Sequence, residues 1–352
     1  MPTIYIVSPK NFTGGPNSLH QLGKNLLNRG IDVKMYYFSG KKRFNYFFNH
    51  KEIDKQLADY DVPHTSVILD DSNNILIVPE VYTGFLCEFK KIRKCIWWLS
   101  LDFYLHDTSE YIITNSPKCS YLPSWMQWLP YLYLQIIGNY CLYHYYLDKY
   151  KNTIFHLYNS EYVRQYLEEN GVYAQQMMYL CGPLRDEFFN ASLLGEDNRK
   201  DVVLYNPKKG FEFTNKIISH AHDLKLNIEF IPLQGMKINE MINLMNKSKI
   251  YIDFGYFPGQ ERIPREATLM NCNIITSKNG SANNSIDVPI PDEFKFDDDE
   301  ENINNIINKI ISMIENYSDD FKHFDAFRKK VLSQKADFER GISDFIYLYN
   351  LK

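Results

Sequence analysis

The sequence predicts an α/β protein of two doubly wound halves with parallel sheets, facing each other across a cleft, with C-terminal helices packing back on the first half. Three observations predict it. The 352 residues suit two domains at ~150 residues each. Short apolar runs alternate with helical stretches in both halves. Polar loops bearing Gly or Pro follow those runs, where open parallel sheets place their ligands. We read residues 1–190 as the first domain with an aromatic-rich insert, 191–330 as the second, and 331–352 as a helix crossing back.

The apolar run 4–7 is a strand and SPKNFTGGPNS a loop, after which Leu19, Leu22, Leu26 and Leu27 recur at helical spacing before Arg29-Gly30. A strand at 32–38 completes a βαβ unit. Strands at 74–78 and 94–99 end in Pro79-Glu80 and Ser100-Leu101-Asp102. A strand at 153–157 leads into a helix that Ser160 can cap and that ends near Asn170-Gly171. The run 177–180 precedes Cys181-Gly182-Pro183, and the polar stretch 185–200 reads as a linker. Strand 202–205, loop Asn206-Pro207-Lys208-Lys209-Gly210, helix 214–223, strand 228–231, helix 238–245 and strand 250–254 then repeat the pattern. Ile303, Ile306, Ile307, Ile310, Ile311 and Ile314 mark a further helix, and 319–352 is helical and aromatic. The acidic run 297–301 before it fits a solvated helix start, since carboxylates favour the positive end of the dipole, better than a metal site.

The charge balance, 39 basic against 43 acidic residues, carries no polybasic signature of nucleic-acid binding. Six cysteines, Cys87, Cys95, Cys119, Cys141, Cys181 and Cys272, lie scattered without a CxxC pair, which argues against a zinc site or a disulfide framework and fits a cytoplasmic location. MPTIYIVSP enters a strand directly, without the pattern of a cleaved signal peptide, and no apolar run reaches the ~18 residues of a spanning helix. The stretch 121–150 holds Trp125, Trp128 and eight tyrosines. Such side chains suit either core packing or peripheral contact with the inner face of the cell membrane, where a lipid-linked acceptor would lie.

The most informative run is 253–281, DFGYFPGQERIPREATLMNCNIITSKNGS. It reads as strand end, tight loop, charged helix start, helix, second strand and a turn at Gly280-Ser281. Arg262 and Arg265 at the helix start offer guanidinium forks for a diphosphate, and Glu266 an acceptor for ribose hydroxyls. The alternative is a surface Arg-Glu pair. Lys208 and Lys209 follow the first strand of the second half, where a lysine can neutralise a departing diphosphate or simply occupy a surface turn. Gly14 and Gly15 open the first helix, as an anion cradle or a bland turn. There is no GxGxxG and no P-loop. Asp102 and His20 are the acid-base candidates of the first half. Asp102 reads equally as a helix cap, and His20 more readily as a structural residue on an apolar face.

These features resemble the GT-B glycosyltransferases of group-1 type, and in particular bacterial enzymes of capsule and surface-polysaccharide synthesis. The Gly14-Gly15 loop, LHQLGKNLLNRG and IDVKMYYF match their opening. The run from Glu266-Ala267 through Ile274-Ile275 is similar to their signature EA-x-A-x-G-x-P-V-I, with Asn271 in the Gly place and Asn273 in the Pro place. The resemblance implies two Rossmann-like domains and transfer of a sugar from a nucleotide-sugar donor to a glycan or lipid-linked acceptor, with no metal and no cofactor. It implies Glu266 on the ribose, Lys208 or Lys209 on the diphosphate, and Gly14 and Gly15 beside the sugar phosphate. The family's earlier glutamate falls at Pro258, and Glu261 is the nearest carboxylate, a third catalytic candidate. Retention is the commoner outcome in that group, whereas a base at Asp102 would support inversion. A noncatalytic nucleotide-sugar binding protein and a nucleotide-sugar epimerase are the alternatives.

Overall fold

The computed structural model describes residues 2–38, 52–106, 122–126, 128, 129, 132 and 149–351. They divide into two units, Met1–Gly182 with Asp337–Lys352, and Pro183–Ala336.

The first unit holds a parallel sheet of six strands, β1 (Thr3–Ser8), β2 (Asp32–Tyr37), β3 (Ile75–Pro79), β4 (Arg93–Trp98), β5 (Phe155–Tyr158) and β6 (Met177–Tyr179), in the order β2-β1-β3-β4-β5-β6. A parallel strand buried on both faces reads as a continuous apolar run. In β1, Ile4 and Ile6 enter one core while Tyr5 and Val7 enter the other. β3 and β4 split the same way, Ile75, Ile77, Cys95 and Trp97 against Leu76, Val78, Ile96 and Trp98. α1 (Gly14–Asn28) lays Leu19, Leu22 and Leu26 on the first of these faces. α2 (Lys55–Ala58), α3 (Leu101–Leu105) and α4 (Glu161–Glu169) are further α-helices of this unit. Ser160 caps α4 by accepting from the Val163 N–H.

In the second unit the parallel order is β11-β10-β9-β7-β8, with β7 (Lys200–Tyr205), β8 (Glu229–Pro232), β9 (Ser248–Asp253), β10 (Asn273–Ser277) and β11 (Lys295–Phe296). α5 (Asp186–Phe189), α6 (Phe211–Asp223), α7 (Ile238–Lys247), α8 (Arg262–Leu269), α9 (Ile303–Glu315), α10 (Tyr317–Phe321) and α11 (Asp325–Leu348) surround it. The polar stretch expected to be a linker is part of this unit, because Leu184 and Phe188 are buried in its core. Asn271 ends α8 with φ 63°, the left-handed conformation for which glycine is preferred and asparagine tolerated.

α11 passes from one unit to the other at Ala336. Its end packs on the first unit, where Phe338, Ile342, Phe345 and Ile346 join the α1 face and Phe338 stacks on Trp97 at 6.4 Å. Gly341 permits the approach, since a Cβ there would stand 2.9 Å from Leu180 Cδ1. Among the described residues no helix is long and apolar enough to cross a membrane. Trp125 and Trp128 of the aromatic stretch are exposed, and most of 121–150 lies outside the described residues.

Candidate functional site

In the second sheet β7 is flanked by β8 on one side and β9 on the other, so the chain reverses its order of winding between β7 and β9. The loops leaving these two strands diverge at that point, the expected ligand crevice of an open α/β sheet. They are the Lys208-Lys209-Gly210 loop and the 254–261 loop before α8.

The two loops interlock through glycines. Gly210 has φ 60°, and a Cβ there would lie 2.3 Å from the Phe254 carbonyl atoms. A Cβ on Gly255 would lie 2.6 Å from that of Lys209. This close approach fixes where Lys209 emerges. Its ammonium lies 2.8 Å from Glu261 Oε2 and 5.6 Å from the centre of the Tyr256 ring. Lys208 is exposed, and its amide is held by Asn206 Oδ1 at 3.0 Å.

Glu266 sits one turn into α8, buried, and neither carboxylate oxygen has a hydrogen-bond partner among the described residues. Arg262 Nε is 3.0 Å from Oε1, an ion-pair distance without an aligned N–H. Burial raises the Glu266 pKa, and the charges of Arg262, Arg265 and Arg185 oppose that rise. Asp253 at the end of β9 is also buried and pushed up to about 6 by desolvation. It accepts from the Tyr251 hydroxyl at 2.6 Å and the Gly255 N–H at 3.0 Å.

Arg265 has a different place from that expected of a phosphate fork. Its Nε donates to the Glu261 carbonyl at 3.0 Å, Nη2 to the Gln260 carbonyl at 3.1 Å and Nη1 to Gln334 Oε1 at 2.7 Å. All three nitrogens therefore hold the loop and α11, and Arg265 shapes the site. Gly280 and Ser281 act similarly. Gly280, at φ 58°, has no room for a Cβ against the Phe257 carbonyl. Ser281 Oγ donates to the Gly259 carbonyl at 2.5 Å.

In the first unit the reversal lies between β1 and β3. Gly14 and Gly15 begin α1 there, with Gly14 open to solvent and Gly15 near Leu99, whose Cδ1 would lie 3.7 Å from an added Cβ. His20 belongs to the scaffold. It is 1% exposed, its Nδ1–H donates to the Pro16 carbonyl at 2.7 Å, and Nε2 accepts from the Tyr37 hydroxyl at 2.9 Å. Burial lowers its pKa, which keeps the ring neutral. Asp102 lies in the first turn of α3, half-buried, accepting from the Tyr162 hydroxyl at 3.0 Å. Ser100, rather than Asp102, takes the cap position.

Glu80 is the acidic group of this unit that sequence reasoning left out of the site. It follows β3 directly, is buried, and accepts from the Leu99 N–H at 2.9 Å. Desolvation pushes its pKa up to about 7, against the pull of backbone N–H groups. Ser100 Oγ and Asn159 Oδ1, at the neighbouring strand ends, are buried without hydrogen-bond partners among the described residues. The signal available was a carboxylate immediately after ILIVP.

No family model matches the chain, and no curated protein is similar to it in sequence. Solved structures are. A glycosyltransferase from Rickettsia africae superimposes with a TM-score of 0.60 at 14% identity, over 99% of this chain and 97% of that one. HepE from Anabaena, in complex with UDP, does so with a TM-score of 0.61 at 11% identity, over 99% and 100%. Sucrose-phosphate synthase from Thermosynechococcus elongatus follows with 0.56 at 13%, over 99% and 98%. The chain thus has the GT-B fold of these glycosyltransferases.

Proposed function

We propose that the chain is a glycosyltransferase that takes its sugar from a nucleotide-sugar donor held by the second unit. The observation that carries this reading is Glu266. It is a buried carboxylate whose two oxygens have no hydrogen-bond partner among the described residues, on the helix that follows the β9 loop and beside Arg262. An unsatisfied buried acceptor is costly, and the two hydroxyls of a ribose supply the missing donors. Lys209 and Arg262 supply positive charge for the diphosphate. HepE bound to UDP and to UDP-glucose, on the same fold, supports a uridine nucleotide as the first donor to try.

In the reaction the bond from the anomeric carbon to the phosphate oxygen breaks with its electron pair leaving on the diphosphate. An acceptor hydroxyl oxygen bonds to that carbon and gives up its proton. Lysine and guanidinium groups stabilise the leaving charge without a metal in this proposal. We assign the acceptor, a glycan or a lipid-linked glycan of a surface polysaccharide, to the first unit. Asp102 and Glu80 are its candidate proton acceptors.

The test is a screen of UDP-sugars with glycan and lipid-linked acceptors, following UDP release and glycosylated product in the presence of EDTA. Product formation is expected, and free UDP should not accumulate faster than product. A chain that binds UDP-sugars and converts none of them would overturn transfer. Isomerised donor without an acceptor would replace it with epimerisation.

A further inference from the structure

We propose that Glu261 is a built-in counter-anion for Lys209 which the phosphates of a nucleoside diphosphate displace. The inference rests on the donor-site reading above and concerns how that site recognises its ligand.

Lys209 has a fixed origin. Gly210 packs against Phe254 and Gly255 against Lys209 with no room for a side chain at either glycine, and the ammonium meets the Glu261 carboxylate at 2.8 Å. The backbone beneath Glu261 is fixed as well. Arg265 donates to the carbonyls of Gln260 and Glu261, Gln334 donates to Gln260 Oε1 at 2.9 Å, and Ser281 holds the Gly259 carbonyl. Exchange at Lys209 is then a matter of the Glu261 side chain alone, which turns about staggered torsions while the loop stays in place.

The two cation-carboxylate contacts of the site differ in burial. The Glu266 side chain, 1% exposed, is buried beside Arg262. Lys209 and Glu261 are 24% and 20% exposed, at the boundary with solvent, where an ion pair is weak and its members can change partners. Glu261 neutralises Lys209 until a stronger anion arrives. A nucleoside diphosphate brings one more anionic phosphate than a monophosphate, and so competes the more strongly with the internal carboxylate. A nucleoside without phosphate has no part in the exchange.

The experiment is calorimetric titration with inorganic pyrophosphate, UDP, UMP and uridine of the wild type, Glu261→Gln, Glu261→Ala, Lys209→Met and the double variant Lys209→Met/Glu261→Gln. Removing the carboxylate should tighten pyrophosphate and UDP by about two- to fivefold, the range of a partly exposed ion pair. Uridine affinity should stay constant, and UMP affinity should rise by no more than that of UDP. In the Lys209→Met background the second substitution should have no effect. Equal or weaker pyrophosphate binding in both Glu261 variants, while the wild type binds UDP, would overturn the exchange alone. Failure of the wild type to bind any phosphate probe would overturn the donor-site reading and the exchange with it.

Discussion

Arg262 Nε stands 3.0 Å from Glu266 Oε1 across one turn of α8, yet neither oxygen of that carboxylate accepts a hydrogen bond from any described residue. A buried carboxylate without donors is energetically disfavoured, and a ligand that donates to it relieves the disadvantage. Glu266→Gln removes the buried charge while retaining the shape. We expect its melting temperature to equal or exceed that of the wild type and its UDP affinity to fall about ten- to a hundredfold, the worth of hydrogen bonds to a charged group. Calorimetry and thermal melts on the same samples check both.

Gly210 is the point at which the backbone places Lys209. Any side chain there meets the Phe254 carbonyl and a positive φ together. Gly210→Ala should destabilise the protein by about 1–3 kcal/mol and weaken pyrophosphate binding, because relief of the clash moves Lys209. Chemical denaturation measures the first effect. Unchanged pyrophosphate affinity would separate Lys209 from the anion site.

Much of this was readable along the chain, for reasons of distance in sequence. Strands β1, β3, β4 and β9 stand out because both faces of a parallel sheet are buried, which makes the run continuously apolar. The Gly-turn loops and the Glu266 helix follow from residue types within a few positions. What was missed depends on partners far away. Arg265 becomes a clamp through Gln334, 69 residues on, and Glu80 becomes a buried acid because it reaches the end of β4 at Leu99. His20 reads more readily as structural from its apolar helix face, but its partners, the Tyr37 hydroxyl and the Pro16 carbonyl, appear only in the fold. Phe188, in a stretch of polar neighbours, is buried by helices that follow later in the chain.

Glu80 gives stability a pH dependence with a definite sign. Its pKa rises from the ordinary 4.5 to about 7 on burial, so the folded protein keeps a proton that the unfolded chain releases above pH 4.5. Its contribution is therefore greatest below 4.5 and is lost as pH climbs toward 7. Asp253, raised to about 6, acts in the same direction. Glu80→Gln should match the wild type near pH 4.5 and exceed it at pH 8 by about 3 kcal/mol. Denaturation curves across that range check the sign, and a variant less stable than the wild type at pH 8 would contradict it.

Arg265→Lys keeps the charge but loses the fork that holds two carbonyls and Gln334. We expect a loss of about 1–3 kcal/mol in stability and weaker UDP binding through the loosened 260–261 turn. A phosphate-binding role would instead leave stability intact while affinity fell. Denaturation and titration together tell the two apart.

The central claim is that Glu266 takes the ribose and Lys209 the diphosphate of a nucleotide at the β7–β9 reversal. A crystal structure of the protein with UDP tests it most directly. The account predicts both ribose hydroxyls within hydrogen-bond distance of the Glu266 oxygens, the phosphates at Lys209, and the Glu261 side chain turned away. UDP bound elsewhere, with Glu266 still unpartnered and the Lys209–Glu261 pair intact, would contradict it.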